Sequence, residues 1–424
     1  MRKIALILAL VLGMALGVGT ASWAAARIVF YLPAWGLEQG EKVVTLFEKD
    51  NPDVKVEIIK GPSTWDEHVG RTSLWVRTKY AGVDVLYEDD VFTLDGAYAG
   101  VWEDLTPYLS EEEINDLADL QKEYIKIHGG IYRIPWWNGM SYMYYRKDLF
   151  EKEGVAPPQT WEELLVVGKR FTRDTTGDGT PDQWGYVTQG TPGEMYNNFC
   201  EFLYQAGGEE WELAPGGVPD ARAKQALEFM VEVYKSIAPP ALSAIGYDES
   251  RGLFREGKVA MLRDWAEMGR IAAVENLSDV IGVMNFPAGP AGPYGIGHCW
   301  GVVVNKYGAN FKANKNQVIQ FVRFMLQPEI HRLTAVYEGP ALNSVLNDEN
   351  YMNELAKENI VIPYFKEFLK YRKVRNFPPG QATPYHEGIG KIVTKAAITG
   401  EQGVEETLVE LQKWIDPLIA PPKE

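Results

Sequence analysis

The spacing of apolar residues near the start of the chain switches from strand to helix and back to strand. Residues 28–32 form an apolar run that predicts a strand, and residues 38–49 carry apolar side chains on one helical face. Asn51-Pro52 ends this helix, because proline disfavours helical backbone in the residue before it. Apolar and polar residues then alternate over 54–58, as in a half-buried strand. The order strand, helix, strand predicts a β-α-β unit of a parallel sheet.

Similar patterns continue to the end of the chain, with no internal repeat. Three helices have start signals, in which Ser or Thr is followed three residues later by Glu. These pairs are Thr64 and Glu67, Ser110 and Glu113, and Thr160 and Glu163. Further helices are predicted over 223–237, 318–325, 389–397 and 404–415, and further strands over 83–87, 142–145, 259–262, 281–286 and 301–305. The fold class predicted from this order is α/β, with two lobes.

The first 26 residues have the composition of a secretory signal peptide. Arg2 and Lys3 precede an apolar stretch over 4–18, and small residues follow up to Ala26. The apolar stretch is shorter than the ~20 residues of a membrane helix. The first cysteine is Cys200, so the cleavage point lacks the thiol that a lipoprotein would need. We therefore expect a protein exported to the periplasm without a lipid anchor.

The charge of the chain argues against two classes of partner. The formal net charge is −16, and removal of Arg2 and Lys3 with the leader would make it −18. Nucleic acids and anionic lipid surfaces would repel such a chain, so we expect neither as a partner. The only cysteines, Cys200 and Cys299, allow either one disulfide or two buried thiols, and the sequence does not distinguish these.

Aromatic residues are abundant, with 13 Trp, 22 Tyr and 16 Phe. Most tryptophans of a globular protein lie in its core, and this is the simplest interpretation of each one taken singly. Several nevertheless stand beside polar residues in predicted loops, where an exposed indole would suit the apolar face of a sugar ring.

Residues 174–182 resemble the first nine positions of a calcium-binding loop. Oxygen-bearing side chains stand at alternate positions, namely Asp174, Thr176, Asp178, Thr180 and Asp182. The position of the bidentate glutamate is occupied by Gly185. We therefore favour an Asx-rich turn and assign no metal site.

Motifs of known catalytic sites and cofactors are missing from the sequence. It contains no G-x-S-x-G, no H-E-x-x-H and no Walker-type glycine loop, and its five histidines are scattered singly. We therefore expect neither a cofactor nor an enzyme. Because 58 acidic residues make chance carboxylate pairs unavoidable, a glycoside-active hydrolase or lyase stays the alternative.

Six segments, in this order and spacing, resemble the family 1 extracellular solute-binding proteins of ABC importers, the maltose-binding-like group. The segments are FEKDNPDV at 47–54, GVDVLY at 82–87, GIYRIP at 130–135, YYRKDL at 144–149, TWEEL at 160–164 and FREGKVAM at 254–261. The resemblance covers nearly all of the chain after the leader. It implies a two-lobed periplasmic-binding fold with parallel-rich sheets flanked by helices and a ligand cleft between the lobes.

The resemblance also implies how the lobes divide. The first would hold residues 27–136 and 285–328, and the second would hold 137–284 and 329–424. Gly139 and the residues after Phe286 would lie near hinges that close the lobes over the ligand.

Ligand-contacting positions are carried over from the family in the same way. Aromatic side chains would bury the faces of a sugar ring, and charged or amide groups would bind its hydroxyls. The implied positions are Trp35, Glu88, Asp89, Asp90, Trp136, Trp137, Asn138, Tyr196, which we expect in a loop, Asp264, Trp265, Trp300, Arg375, Tyr385 and His386.

These expectations together describe a monomeric periplasmic carrier. It would bind a mono- or oligosaccharide and deliver it to the permease subunits of an ABC importer. A third possibility, a surface module that attaches to carbohydrate, would not close around a hinge.

Overall fold

The computed structural model describes residues 25–419, and nearly all of the predicted leader lies outside them. In chain order the strands are β1 (Ala26–Leu32), β2 (Val54–Lys60), β3 (Val85–Glu88), β4 (Lys126–Ile127), β5 (Gly130–Ile131), β6 (Ile134–Pro135), β7 (Gly139–Arg146), β8 (Trp184–Val187), β9 (Val259–Trp265), β10 (Ile281–Met284), β11 (Gly295–His298), β12 (Gly301–Val304) and β13 (Arg372–Lys373).

Helices make up most of the remaining structure. They are α1 (Ala34–Asp50), α2 (Trp65–Thr78), α3 (Asp90–Tyr98), α4 (Glu111–Asp116), α5 (Asp119–Ile125), α6 (Lys147–Glu153), α7 (Trp161–Phe171), α8 (Pro192–Ala206), α9 (Ala221–Ile237), α10 (Tyr247–Arg255), α11 (Glu267–Val274), α12 (Ala309–Ala313), α13 (Lys315–Phe324), α14 (Pro328–Thr334), α15 (Asn343–Leu346), α16 (Glu349–Leu355), α17 (Phe365–Leu369), α18 (Ala382–Thr394) and α19 (Val404–Ile419). Short 3-10 turns lie at Thr106–Tyr108, Pro215–Gly217, Leu242–Ala244 and Ile362–Tyr364, and a π-helical turn, Lys395–Thr399, continues α18.

Helix starts follow the capping pattern in two of the three predicted places. Ser110 and Glu113 form a reciprocal capping box, and the Thr160 hydroxyl accepts from the Glu163 amide at 3.3 Å. Thr64 precedes α2 but makes no side-chain cap hydrogen bond. The start of α2 is instead held by tertiary contacts of Trp65, described below.

The first sheet contains the predicted β-α-β unit. Its strand order is β2-β1-β3-β12-β6, and β1 pairs in parallel with both β2 and β3. Helix α1 packs Val43, Val44 and Phe47 beneath the sheet, in the same core as Phe30 of β1. The α/β class is thereby confirmed, with β12 antiparallel both to β3 and to the edge strand β6.

The second sheet is less parallel than expected. Its order is β13-β11-β7-β9-β8, and β10 also pairs with β7. The central strand β7 is antiparallel to β9, β10 and β11. Because each of these strands runs opposite to β7, it can pair with β7 without the long crossover connection that a parallel neighbour needs.

Two large apolar cores correspond to the two sheets, and the chain passes between them three times. The passages run from β6 to β7, from β11 to β12, and through residues 335–346. Backbone hydrogen bonds tie them together, since the Trp136 amide donates to the Trp300 carbonyl at 2.8 Å and the Asn138 amide donates to the Gly339 carbonyl at 3.0 Å.

Core membership differs from the predicted lobe division at two stretches. Strand β11 pairs with β7 in the second sheet, although residues 285–328 were assigned to the first lobe. Ile330, Tyr337 and Leu342 pack in the first core, although they follow residue 328. In both cases the chain crosses later than expected, after β11 and within residues 335–346. Whether the lobes move as separate bodies stays a prediction.

Within the described residues, every helix is too short or too polar to cross a bilayer.

Candidate functional site

Charged side chains from both lobes meet between the two sheets. Asp90, at the start of α3 in the first lobe, pairs with Arg375 of the second lobe. Arg375 also donates to the Asn197 side-chain oxygen of α8 at 3.0 Å. Burial works against the charge of Arg375, but the neighbouring Asp90 holds its pKa above the usual value. A buried ion pair therefore joins the lobes at the position that the sequence placed in the cleft.

Asp89 lies beside this ion pair and already has two donors. It caps α3 by accepting from the Phe92 amide at 2.9 Å, and it accepts from the Trp65 indole nitrogen at 3.0 Å. The Trp65 ring lies 4.7 Å, centre to centre, from the ring of His386 in α18. Tyr196 contacts the same His386 ring at 4.4 Å. Tyr196 belongs to α8 and not to a loop, which corrects the sequence expectation, because the run 192–206 is amphipathic and buried on most sides.

Glu88 ends β3 in a fully buried position. It is hydrogen-bonded to the His68 Nε2 atom at 3.0 Å, and Tyr31 contacts the other His68 nitrogen at 3.3 Å. Burial raises the pKa of Glu88 above its usual value, in spite of the neighbouring His68. One carboxyl oxygen of Glu88 is thus occupied by the first lobe itself.

Aromatic rings of the first lobe pack together near the acidic residues described above. The Trp35 and Trp300 rings lie 5.4 Å apart in an edge-to-face arrangement, and Trp300 stacks on Tyr87 at 5.2 Å. Trp35 is partly exposed, whereas Trp300 is buried. The chain turns sharply at Pro33 before α1, which places Trp35 directly after the carboxyl end of β1.

Trp265 belongs to the second lobe. It ends β9, is 8% exposed, and donates its indole N–H to the Tyr247 hydroxyl at 3.0 Å. The Arg263 guanidinium lies 4.4 Å from the centre of the indole and pairs with Glu194 at 2.9 Å and with Glu201 at 2.8 Å. This network fixes the ring, so Trp265 presents a rigid apolar surface.

Four of the proposed ligand contacts are occupied by the protein itself. Trp136 is 1% exposed and packs in the first core between Phe30 and Tyr87, at 6.1 and 5.1 Å. Asp264 accepts from Arg251 at 2.6 and 3.1 Å, so both of its oxygens are engaged.

The other two occupied contacts also lie inside the fold. Tyr385 is buried in the second core and donates its hydroxyl to the Glu210 carbonyl at 3.1 Å. Asn138 is fully buried at the first passage, where its oxygen accepts from Gln121 at 2.9 Å. Trp137 lies beside Asn138 and contacts Tyr87 and Tyr337 at 5.7 and 6.0 Å. These positions support the cleft from within rather than line it.

Several buried polar atoms at the lobe boundary have no hydrogen-bond partner within the described part of the chain. Buried polar atoms are normally hydrogen-bonded, so a group of such atoms indicates a place where a polar molecule binds. They include Glu88 Oε1, Asp90 Oδ2, His298 Nε2, Glu338 Oε2, Arg375 Nε and His386 Nδ1.

Sequence reasoning missed four residues of this site. Trp65 and His68 of α2, His298 of β11 and Glu338 of the third passage all contact or adjoin the predicted residues. His298 lies two residues before Trp300, in the run Gly-Ile-Gly-His-Cys-Trp, but no local pattern distinguishes it as a site residue. Glu338 had no local signal, because its neighbours come from distant segments.

The two features that the sequence left open lie away from the cleft. The Asp174 carboxylate accepts from the Gly177 and Gly179 amides at 2.6 Å each, as in an Asx-rich turn. Among residues 25–419 no cluster of three or more His, Cys, Asp or Glu side chains has a metal-binding arrangement. Cys200 and Cys299 are buried free thiols, and burial raises the pKa of Cys299 to about 12.

Two surface cavities lie away from this site. One of about 670 Å³ lies on the first lobe between α1 and α13, and one of about 500 Å³ lies beside α5 and α17. Neither is lined by a cleft residue named above, so we assign no ligand to them.

Comparison with known proteins identifies relatives of the chain. The family model described as bacterial extracellular solute-binding protein matches residues 34–331. The mannitol-binding protein of Pseudomonas aeruginosa is 24% identical over 405 residues, which is 88% of each chain. A probable ABC transporter-binding protein of Deinococcus radiodurans is 25% identical over 320 residues, or 73% of each chain.

Solved structures show the same fold. Maltose-bound MalE3 of T. maritima superposes with a TM-score of 0.80 at 23% identity, covering 92% of this chain and 99% of its own. An ABC transporter solute-binding protein of Agrobacterium vitis with bound D-mannitol has a TM-score of 0.73 at 17% identity, covering 92% and 97%. The two-lobed fold predicted from the sequence is thus confirmed.

Proposed function

The chain belongs to the bacterial extracellular solute-binding protein family, and from this premise we propose that it binds a sugar or a sugar alcohol and delivers it to the permease of an ABC importer. Delivery would take place in the periplasm, after removal of the predicted leader. The protein would act as a monomeric carrier without a cofactor, and its lobes would close around the ligand by a hinge motion.

The observation that carries this proposal is the composition of the cleft. Trp35 and Trp300 of the first lobe and Trp265 of the second would face it, and these rings suit the apolar faces of a sugar. Between them lie the partnerless polar atoms of Asp90, Arg375 and the other boundary residues, which suit hydroxyl groups. Few other small molecules offer both surfaces at once.

The relatives support the same class of ligand. The mannitol-binding protein of P. aeruginosa matches over 88% of this chain, and a maltotriose-binding protein of Pyrococcus abyssi matches over 61%. At these identities, 24% in both cases, the relatives support the chemical class but not the individual sugar.

Of the residues expected from the sequence, we propose Trp35, Glu88, Asp89, Asp90, Trp265, Trp300, Arg375 and His386 as those lining the site. Tyr196 would contribute by positioning His386, whose ring it contacts. Trp137 and Asn138 would hold the first passage in place, with Trp136, Asp264 and Tyr385 supporting the cleft from behind.

Isothermal titration calorimetry tests the proposal directly. Purified protein without its leader is titrated with D-glucose, D-mannitol, ribitol, maltose and maltotriose, with L-glutamate as a ligand of another class. We expect saturable binding of at least one sugar or sugar alcohol and none of L-glutamate. Binding of no carbohydrate in a broad panel would refute the proposal.

The same samples distinguish a carrier from a glycoside-active enzyme. Each mixture is incubated overnight and its products are separated by chromatography. A carrier leaves the sugar intact, whereas new products at a rate proportional to protein concentration would favour the enzyme. Solution scattering with and without the bound sugar then tests closure, since an attachment module would show no change in radius of gyration.

A further inference from the structure

His298 and Glu338 come together where the three passages between the lobes run side by side. His298 ends β11 at the second passage, and Glu338 lies in the third. The first passage contributes Gly139, which pairs with His298 across the sheet. A Cβ atom at position 139 would lie 2.0 Å from the His298 Nε2 atom, so only glycine leaves room for this ring. The missing side chain at position 139 therefore leaves the space that the imidazole of His298 occupies.

The ring of His298 is buried where the two lobes meet. It is 6% exposed and packs 4.4 Å from the Trp265 ring, centre to centre. The charged groups that act on it come from both lobes, namely Arg375, Asp90, Glu194 and Asp89. The imidazole is thus surrounded by charged groups of both lobes, next to the indole that we propose as a sugar platform.

The facing atoms of the two side chains both lack partners. His298 Nε2 and Glu338 Oε2 are 3.6 Å apart, and neither makes a hydrogen bond to any described residue. Burial lowers the pKa of His298 to about 3 and raises that of Glu338 well above its usual value. Burial thus disfavours the charged form of both groups, and a protonated carboxyl beside a neutral imidazole offers one donor and one acceptor.

We propose that His298 and Glu338 together bind one hydroxyl group of the ligand. One side chain would donate a hydrogen bond to the hydroxyl oxygen, and the other would accept a hydrogen bond from the hydroxyl O–H. This inference rests on the proposed function. A hydroxyl oxygen about 2.8 Å from both atoms would see them roughly 80° apart, an angle open to a group that donates and accepts at once. An ether oxygen or a deoxy carbon could not satisfy both atoms, so the pair would require a free hydroxyl next to the ring that stacks on Trp265.

Monodeoxy ligands and paired variants test this hydroxyl contact by calorimetry. The ligand is whichever of D-glucose, D-mannitol and maltose binds most tightly, together with its complete set of monodeoxy analogues. The variants His298→Phe and Glu338→Met keep side-chain volume and remove the hydrogen-bonding atoms. Glu338→Gln keeps a donor and an acceptor at the same place. His331→Phe is the matched control, because His331 is equally buried but lies in α14 within the first core.

We expect His298→Phe and Glu338→Met each to weaken binding of the parent ligand at least about tenfold, and Glu338→Gln to weaken it less. One monodeoxy analogue should bind the wild type at least about tenfold more weakly, and for that analogue alone the two variants should cause no further loss. His331→Phe should keep wild-type affinity.

Two results would overturn the inference while leaving the proposed function intact. In the first, His298→Phe and Glu338→Met bind the parent ligand as tightly as the wild type. In the second, they weaken all monodeoxy analogues as much as the parent. If a variant fails to fold, the wild type still decides, because tolerance of every single hydroxyl removal within threefold refutes the hydroxyl contact. Failure of the wild type to bind any of the sugars contradicts the proposed function itself.

Discussion

Asp95 joins the two lobes in a way that can be tested with a single substitution. It lies on α3 in the first lobe, yet its two carboxylate oxygens accept from the Ala382 and Thr383 amides at 2.8 and 2.9 Å. These amides are the first of α18, a helix of the second lobe whose side chains fill the second core. One lobe thus caps a helix of the other, and the cap exists only while the lobes are together.

The size of the effect follows from helix capping. Replacing an acidic cap by alanine costs about 0.5–2 kcal/mol of helix stability. If the open form exposes the α18 amides to water, the Asp95→Ala penalty falls on the closed form alone. Ligand affinity should then fall by about two- to thirtyfold, mainly through faster dissociation, because the loss occurs after the ligand has entered.

A second cap supplies the matched control. Asp220 accepts from the Arg222 and Ala223 amides at 2.9 and 3.1 Å and caps α9, but its helix and its own position both belong to the second lobe. Asp220→Ala should lower the melting temperature and leave affinity and dissociation rate unchanged. Both variants are measured by calorimetry for affinity and by stopped-flow fluorescence for dissociation, with the tightest-binding sugar of the panel. An Asp95→Ala variant that binds like Asp220→Ala would refute the idea that this cap stabilises closure.

Three further substitutions or conditions have definite expected outcomes. Trp265→Ala should weaken sugar binding by about 2 kcal/mol, or roughly thirtyfold, and should also lower the melting temperature, because the ring packs in the second core. Trp136→Ala should cost about 3–5 kcal/mol of stability, which thermal melting would show. Burial lowers the pKa of His331 in the folded protein to about 3, so between about pH 6.5 and 3 only the unfolded chain gains a proton at this residue. In urea, the free energy of unfolding of the wild type should therefore fall relative to that of His331→Phe by about 1.4 kcal/mol for each pH unit in this range. Equal pH dependence of the two proteins would contradict this expectation. Addition of EDTA should leave the melting temperature unchanged, since backbone amides already occupy the Asp174 carboxylate. A shift of several degrees that calcium reverses would contradict the expectation that this turn binds no metal ion.

The secondary structure could be predicted from the sequence because its signals are local. Alternation over 54–58 became β2, and the Ser110 and Glu113 pair formed the expected capping box at α4. The strand directions of the second sheet could not be predicted in this way, and a parallel-rich sheet was wrongly expected there. The direction in which β9, β10 and β11 approach β7 depends on connections of many residues, and apolar periodicity carries no information about direction.

The candidate site was predicted by residue type more reliably than by role. The stretch after β3 was expected to supply free acids, yet Asp90 pairs with Arg375, which is 285 residues away in the chain. Asp264 is occupied by Arg251 and Trp136 by the first core, and no local pattern distinguishes an occupied polar group from a free one. His298 was missed for the same reason, since the space for its ring depends on Gly139 in another passage.

The pairing of charges in the cleft favours an uncharged ligand. Glu88 is hydrogen-bonded to His68, Asp90 is paired with Arg375, and Glu194 is paired with Arg263. A charged solute would have to compete with these partners, and separating a buried ion pair leaves an uncompensated charge. A hydroxyl group makes no such demand, because it can bind to the free oxygen or nitrogen of a group that keeps its partner. The cleft therefore offers many single hydrogen-bonding positions and no unpaired charge cluster, which is the arrangement that a polyhydroxylated neutral molecule needs.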